Sequence, residues 1–446
     1  MSGIISSKKW LGLVICLAFT VFTAACNSSS SPSQATASTS VSSETKIQGS
    51  IEVGVLQAEG TSGYQFAVDM AKSITDKHPG TDIKYLFANT QARPAIDQRW
   101  RSGNPPDLDY SVFNSKLSRT HEFVTGGLLE NLKPQMEQTL PSGGKWLDTF
   151  QSAVLPLMEL NGGYYAIPTE ITVFDLFYNE KMFKEFGIKP PTTWDELLTA
   201  GETLKSKGID PIAITGQVDP YMAMWTDYLF AREVGGQKAS EALFGKGVAD
   251  DPGFLRAAQK IQDIRDKGFF LKGFKGTDFT AAQLAFFQGK AGMILVGSWL
   301  ASEMKDSIPA DFQLGVTAFP AIKGGQGDQK ELFGTANMLS LSAASKSKDL
   351  AIEYLKQITD VKLQEKRAET MSLISPIKGV PAPANLKGID TVVSEGKIIQ
   401  RYLGLENNPE LQNVYGVEVN KLFFGDSSAE QFIANLDKII KSHQKK

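Results

Sequence analysis

One short stretch, residues 289–300, constrains the fold more than any other part of the chain. Its apolar run at residues 291–296 has the length of one buried strand, and we predict a parallel strand there. The run ends in Gly297-Ser298-Trp299, where small residues let the backbone turn sharply toward a helix. The indole of Trp299 then lies at the carboxyl end of the strand, where open α/β sheets bind ligands. We interpret Trp299 as a ligand platform, with burial in the core as the alternative.

Strands and helices alternate along the chain that precedes this stretch. We predict strands at residues 51–56 and 82–87, and helices at residues 64–77 and 93–101. Strands that alternate with helices through short loops are typical of an α/β fold, in which helices cover a mostly parallel sheet. Further along, Thr193 is followed three residues later by Glu196, a capping-box pattern that predicts a helix start.

The amino terminus has the features of an export signal. Lysines precede an apolar run at residues 10–25 that is too short for a stable bilayer span, so we predict a signal peptide over residues 1–25. Residues 24–26, Ala-Ala-Cys, resemble the lipobox of bacterial lipoproteins, which implies a lipid on Cys26. Thr23 departs from that pattern, because Leu is usual there. An ordinary signal peptide and an uncut anchor are the alternatives.

The segment after the predicted cleavage site has the composition of a flexible tether. Residues 26–48 are rich in Ser, Thr, Ala and Gln and hold too little apolar surface to fold. Cys16 and Cys26 are the only cysteines, so the body after them has neither a disulfide nor a thiol nucleophile. The net charge of −3 gives no reason to expect nucleic acid as a partner, and we expect the lipid to be the only link to the membrane.

The sequence shows no recognised arrangement for catalysis. His78, His121 and His443 are scattered, so we expect no metal site of clustered histidines and no cofactor. A glycoside hydrolase needs only two carboxylates at a suitable separation, and sequence spacing alone does not exclude such a pair. An extracellular glycoside hydrolase is therefore the alternative from the enzyme class.

Several short motifs follow one another in the order found in a known family. They are Ala166-Ile167-Pro168, Tyr178-Asn179-Glu180, Pro191-Thr192-Thr193-Trp194-Asp195-Glu196-Leu197, Ala285-Phe286-Phe287-Gln288-Gly289-Lys290 and Gly297-Ser298-Trp299. In these motifs and their order, the chain resembles the extracellular solute-binding proteins of carbohydrate ABC importers. This group includes the maltodextrin-binding protein. The resemblance spans most of the mature chain. It implies a binding protein rather than an enzyme. Such a protein captures a carbohydrate, in our interpretation an oligosaccharide, and delivers it to ABC permease subunits.

The resemblance also implies a two-lobe, periplasmic-binding-protein-like fold whose lobes are joined by hinge crossovers. Lobe 1 would hold residues 49–169 with 334–372, and lobe 2 would hold residues 170–333 with 373–446. We expect a monomer that is tethered on the outer face of the cytoplasmic membrane. The same fold with a non-sugar solute is a further alternative, although an anion would call for several Arg or Lys in the cleft loops.

A sugar site needs aromatic faces for the C–H groups of the ring and polar side chains for its hydroxyls. Trp299 is the first candidate, because it matches the stacking Trp of the family. Tyr221 and Trp225 are four residues apart and share a face if the segment is helical. Asp219-Pro220-Tyr221 also resembles an acid-Pro-Tyr element that lines the maltodextrin site. The alternative is a structural helix packed on the second lobe.

The remaining candidates lie in predicted loops, at the crossing or near the last helices. They are Gln57, Glu59, Asp109, Glu170, Ser298 and Tyr415. Glu59 has a solvated surface acid as its alternative, and Glu170 at the crossing faces either the cleft or solvent. Trp194 differs from these residues, because it lies at the predicted helix start and is assigned to packing.

Overall fold

The computed structural model describes residues 46–55, 62–87, 92–110, 120–140, 143–400, 403–405 and 408–443. The predicted signal peptide, Cys26 and the tether up to residue 45 lie outside these ranges. Gln57 and Glu59 lie outside them as well. Residues 46–446 form one unit, which carries all of the structure described below.

The strands belong to one large mixed sheet and one small hairpin. They are β1 (Gly49–Val55), β2 (Thr81–Phe87), β3 (Leu108–Asp109), β4 (Glu159–Leu160), β5 (Gly163–Tyr164), β6 (Ile167–Asn179), β7 (Asp210–Ala213), β8 (Ala291–Gly297), β9 (Leu314–Thr317), β10 (Glu331–Leu341) and β11 (Lys397–Gln400). The large sheet has the order β2-β1-β3-β10-β6-β8-β7, with β11 beside β10 and β9 beside β6. The hairpin pairs β4 with β5.

Helices of very different length connect and cover these strands. They are α1 (Ser62–Lys77), α2 (Arg93–Arg101), α3 (Thr120–Thr125), α4 (Lys133–Met136), α5 (Leu155–Met158), α6 (Glu180–Phe186), α7 (Trp194–Ser206), α8 (Asp219–Val234), α9 (Gly236–Glu241), α10 (Pro252–Asp266), α11 (Phe279–Phe287), α12 (Leu300–Glu303), α13 (Lys348–Ile358), α14 (Val361–Met371), α15 (Ile389–Glu395), α16 (Pro409–Phe424) and α17 (Ala429–His443). Among the described residues, no helix combines the length and the apolar composition that a bilayer crossing requires.

Two long antiparallel strands, β6 and β10, connect the two halves of the sheet. One end of β10 pairs with β3, while its other end pairs with β11. β6 pairs with β10 along its first part and with β8 and β9 along its second part. The strands farther out pair in parallel, β1 with both β2 and β3, and β7 with β8. The result is the two-lobe fold with crossing strands, although the residue boundaries predicted for the lobes stay a prediction.

β6 contributes side chains to two separate hydrophobic cores. Phe174 and Leu176 belong to one core, which also contains residues of α8, α10, α16 and α17. Val173 and Phe177 belong to the other core, which contains residues of β1 and α13. Because side chains alternate between the two faces of a strand, this part of β6 carries apolar residues on both faces, and Asp175 is the exception.

Most of the elements predicted from the sequence are confirmed with small shifts at their ends. The run at residues 291–296 is β8, and all of its residues are buried. The prediction of a parallel strand was only half correct, because β8 is parallel to β7 and antiparallel to β6. Thr193 caps α7, with the Thr193 hydroxyl and the Glu196 carboxylate in a capping box. Trp194 is buried in the core, as its assignment to packing predicted.

Asp175 is a buried acid in the middle of β6. It is 0% exposed, and neither carboxylate oxygen has a hydrogen-bond partner among the described residues. Burial raises the pKa of Asp175 to about 8, although the nearby Arg232 acts in the opposite direction. A carboxyl with this pKa is neutral at neutral pH in the folded chain, whereas an aspartate in an unfolded chain has a pKa of about 3.9.

The pKa of Asp175 predicts how the stability of the protein depends on pH. From about pH 4 to about pH 8 the unfolded chain has released this proton and the folded chain still holds it, so a rise in pH favours unfolding. Asp175→Asn keeps the shape and does not ionise. We therefore expect the difference in melting temperature between Asp175→Asn and the wild type to increase in favour of the variant as the pH rises to about 8. Above that pH the difference should stay constant.

Thermal melts at a series of pH values measure this difference. Asp306→Asn, at an exposed aspartate, is the matched control and should follow the wild type. Parallel curves for Asp175→Asn and the wild type would show that Asp175 does not hold its proton in the folded protein.

Candidate functional site

Trp299 lies where the sequence predicted it, just after the carboxyl end of β8. The indole is half-buried and packs over Gly297, so that a Cβ at position 297 would collide with the ring. The Phe174 ring meets the indole edge-on, with 5.3 Å between ring centroids and an interplanar angle of 86°. Position 297 therefore requires glycine, since only a residue without a side chain leaves room for the indole.

Four polar side chains on the crossing strands share one face of the sheet. The register places Glu170 opposite Asn337 and Thr172 opposite Thr335. Directly opposite residues of an antiparallel pair lie on the same face, and so do residues two apart on one strand. Thr172, Thr335 and Asn337 are partly exposed, and Glu170 is 9% exposed. We name these four residues the polar floor.

The polar floor and Trp299 lie next to each other on the same face. Phe174 follows Thr172 by two residues on β6, a step of about 7 Å along a strand. Phe174 is also paired directly with Gly297, over which the indole packs. The candidate site therefore combines an aromatic ring with hydroxyl, amide and carboxylate groups along one face of the crossing strands.

Hydrogen bonds connect the end of β3 to the polar floor. The Thr169 hydroxyl donates to the Asn337 carbonyl oxygen at 3.0 Å. Its oxygen is then free to accept a hydrogen bond from the Tyr110 hydroxyl, also at 3.0 Å. Burial raises the pKa of Tyr110, so the phenol stays protonated and can donate. This network holds β3, β6 and β10 together beside the candidate site.

Tyr221 forms an aromatic pair with a residue that the sequence analysis missed. Its half-buried ring stacks on Phe279, the first residue of α11, with 4.4 Å between centroids and an interplanar angle of 23°. Tyr221 and Trp299 both pack against the two core clusters. Asp219 is the first residue of α8, and its side chain lies outside what the structure describes.

Two aromatic candidates, Trp225 and Tyr415, are buried in the core and not exposed beside Trp299. Trp225 is 0% exposed and meets the Phe319 ring edge-on. Tyr415 is 1% exposed inside α16, and its hydroxyl donates to Asp227 Oδ1 at 2.5 Å. Trp225 is four residues from Tyr221, but it packs deeper in the core of the second lobe. The burial of Trp225 supports the alternative of a structural helix, and a ligand contact of either residue stays a prediction.

Two polar candidates form hydrogen bonds that stabilise the positions of the strands. Asp109 is 0% exposed, and its carboxylate accepts a hydrogen bond from the Trp100 indole at 2.7 Å. Ser298 is buried, its N–H donates to the Val173 carbonyl at 2.8 Å, and its hydroxyl accepts from the Val173 N–H at 3.4 Å. These contacts are structural, and ligand contacts of Asp109 and Ser298 stay a prediction.

The described part of the chain holds no group of three or more His, Cys, Asp or Glu side chains arranged to bind a metal ion. The groups at the site instead suit a ligand that presents both apolar C–H surface and hydroxyls, because a carboxylate or an amide can bond hydroxyls beside an aromatic face.

Comparison with known proteins assigns the family. The family model described as bacterial extracellular solute-binding protein matches residues 57–365, more than half of the chain. The chain belongs to this family. The residues that match this solute-binding family include both crossing strands, β6 and β10, and Trp299.

Relatives of this solute-binding protein include two whose names state a sugar ligand. A multiple sugar-binding protein of Streptococcus mutans is 25% identical over 324 residues, which cover 70% of this chain and 72% of that protein. A diacetylchitobiose binding protein of Streptomyces coelicolor is 27% identical over 266 residues, which cover 57% of this chain and 54% of that protein. The second match spans about half of the relative.

A solved structure shows the same fold. The apo form of RafE from Streptococcus pneumoniae superposes with a TM-score of 0.74 and is 18% identical, over 89% of this chain and 98% of that one. At this identity the likeness concerns the fold alone.

The different placements of Trp225 and Trp299 predict different effects on stability. Trp225→Ala leaves a cavity in the core of the solute-binding protein, and we expect it to lower the free energy of unfolding by about 3–5 kcal/mol. Trp299→Ala removes a ring that is only half-buried and should lower the free energy of unfolding clearly less. Urea titrations followed by circular dichroism measure both variants, and an equal loss would contradict the assignment of Trp225 to the core.

Proposed function

We propose that this solute-binding protein captures a carbohydrate, in particular an oligosaccharide, in the cleft between its lobes. The observation that carries the proposal is the half-buried Trp299 ring beside the polar floor. The apolar face of a sugar ring stacks on an indole, while its hydroxyls bond carboxylate, amide and hydroxyl groups. The stacked Tyr221–Phe279 pair adds a second half-buried aromatic surface on the same lobe.

The names of the relatives support a sugar as the ligand. Besides the two proteins above, a maltotriose-binding protein of Pyrococcus abyssi is 22% identical over 75% of this chain. The relatives are named as binding proteins, which supports capture rather than turnover. We infer that the captured sugar passes to ABC permease subunits, and that ligand binding favours a closed form with surfaces from both lobes in place for the permease.

Removal of the indole tests the site directly. Trp299→Ala takes away a stacking face, and we expect a loss of about 1–3 kcal/mol in binding free energy, the range for losing a well-buried apolar contact. The ligand comes from a thermal-shift panel of maltotriose, raffinose, xylotriose and diacetylchitobiose, since a ligand of the native state raises the melting temperature. Calorimetry then gives the affinity of the variant.

Trp146→Phe is the matched control for this experiment. Trp146 is 2% exposed and donates to the Thr359 hydroxyl at 3.0 Å, in the core that contains β1 and α13. The Trp146→Phe variant should be less stable than the wild type and should bind the sugar with the same affinity. Unchanged affinity in Trp299→Ala would remove Trp299 from the site.

We infer further that the protein is a lipoprotein held at the outer face of the cytoplasmic membrane through Cys26. The Ala-Ala-Cys sequence at residues 24–26 and the Ser-rich stretch behind it support this location. Cys26→Ser removes the acceptor thiol, so we expect the protein to move from the membrane fraction to the medium. Immunoblots of both fractions measure this, and a membrane-bound Cys26→Ser protein would show that another segment anchors the chain.

The glycoside hydrolase alternative is tested with the same panel of sugars. We expect each oligosaccharide to be recovered intact after incubation with purified protein, because the site presents a binding surface. Chromatography of the incubated sugars detects cleavage products, and their appearance would establish an enzyme.

A further inference from the structure

Arg367, on α14, is a buried arginine that contacts the polar floor. It is 4% exposed, and its Nη2 lies 3.2 Å from Glu170 Oε2. Its Nη1 donates to the Thr169 carbonyl oxygen. The guanidinium carbon also lies 5.7 Å from the centroid of the Phe66 ring, which adds a cation–π contact. Arg367 therefore connects α14 to two successive residues of the crossing strand β6.

Glu170 is held by partners on two sides. Arg367 bonds Oε2, and the Asn337 amide donates to Oε1 from β10. Each oxygen of a carboxylate can accept more than one hydrogen bond, so both oxygens keep the capacity to accept one from a ligand hydroxyl. Glu170 shares its face of the sheet with partly exposed Thr172, so its carboxylate belongs to the surface that the polar floor presents.

The pairing of Glu170 with Arg367 also decides the charge of this surface. A carboxylate that is 9% exposed is costly unless a cation is paired with it, and the structure provides Arg367. With the two charges balanced, the polar floor offers a strong acceptor without a net charge. Such a surface suits neutral hydroxyl groups better than acidic or basic groups of a ligand.

We propose that Arg367 is a positioning residue of the sugar site, which holds Glu170 as a charge-balanced acceptor for a hydroxyl of a neutral sugar. This inference rests on the proposed function, because it requires a sugar in contact with Glu170. Arg367 itself acts through Glu170. If its role were only to tie α14 to β6 through Thr169, its loss would lower stability and leave the affinity for sugar unchanged.

A double-mutant cycle separates these two roles. The variants are Arg367→Met, Glu170→Gln and the double variant, and the ligand is the panel oligosaccharide that gives the largest thermal shift with the wild type. We expect Arg367→Met to weaken binding about tenfold or more, the effect of losing a hydrogen bond to a charged group. The double variant should bind no more weakly than Glu170→Gln alone, because Arg367 then has no carboxylate to position.

Two further variants complete the design. Arg367→Lys keeps the charge and loses the planar fork, so it should bind with intermediate affinity. Arg265→Met is the matched control, since Arg265 donates to the Leu422 carbonyl at 2.7 Å and joins α10 to α16. This control should melt at a lower temperature and bind sugar like the wild type. If Arg367→Met does not fold, Arg367→Lys in the wild-type and Glu170→Gln backgrounds decides the same question.

The outcomes distinguish this inference from the proposed function. Wild-type affinity in Arg367→Met with a lower melting temperature would overturn the positioning role, and so would losses of affinity that add in the double variant. If the wild type bound none of the sugars, or Trp299→Ala bound like the wild type, the proposed function itself would fail. Weaker binding in Arg367→Met that disappears in the Glu170→Gln background supports the inference.

Discussion

The antiparallel pairing of β6 with β10 is the interaction on which the rest of this structure depends. These strands carry the backbone from one half of the sheet to the other, and they take different partners at their two ends. One register places Glu170, Thr172, Thr335 and Asn337 on a common face, so the same hydrogen bonds join the crossing strands and build the candidate site. A shift by one residue would turn all of the β6 side chains to the opposite face.

The local pattern of the sequence was sufficient for the elements but not for the depth at which side chains lie. β8 and the capped start of α7 follow from an apolar run and from a Thr-to-Glu spacing, which are local signals. Tyr221 and Trp225 are four residues apart on α8, and helical spacing cannot tell which ring faces the core. Tyr415 was a candidate because of its position near the last helices, which does not reveal that its hydroxyl is buried against Asp227.

The residues that the sequence analysis missed are those that only tertiary structure brings together. Thr172 and Thr335 are far apart in the chain and meet through strand register, and Arg367 reaches Glu170 from a helix after the second crossing. Alternation along β6 indicates that Thr172, two residues from Glu170, lies on the same face of the strand. The sequence does not indicate how deeply Thr172 is buried. The position of Trp299 could be predicted from the sequence, because the signal is local: Gly297, which the indole covers, lies only two residues away.

The contacts of Ile171 and Val173 have a consequence for how the protein meets other chains. Beyond the end of β8, the Ile374 carbonyl accepts from the Ile171 N–H, and Ser298 bonds both the N–H and the carbonyl of Val173. The backbone of β6 at these residues is thereby occupied on the side away from β10. Without these contacts, the unpaired backbone groups of this strand would be a template for intermolecular β pairing, a common start of aggregation.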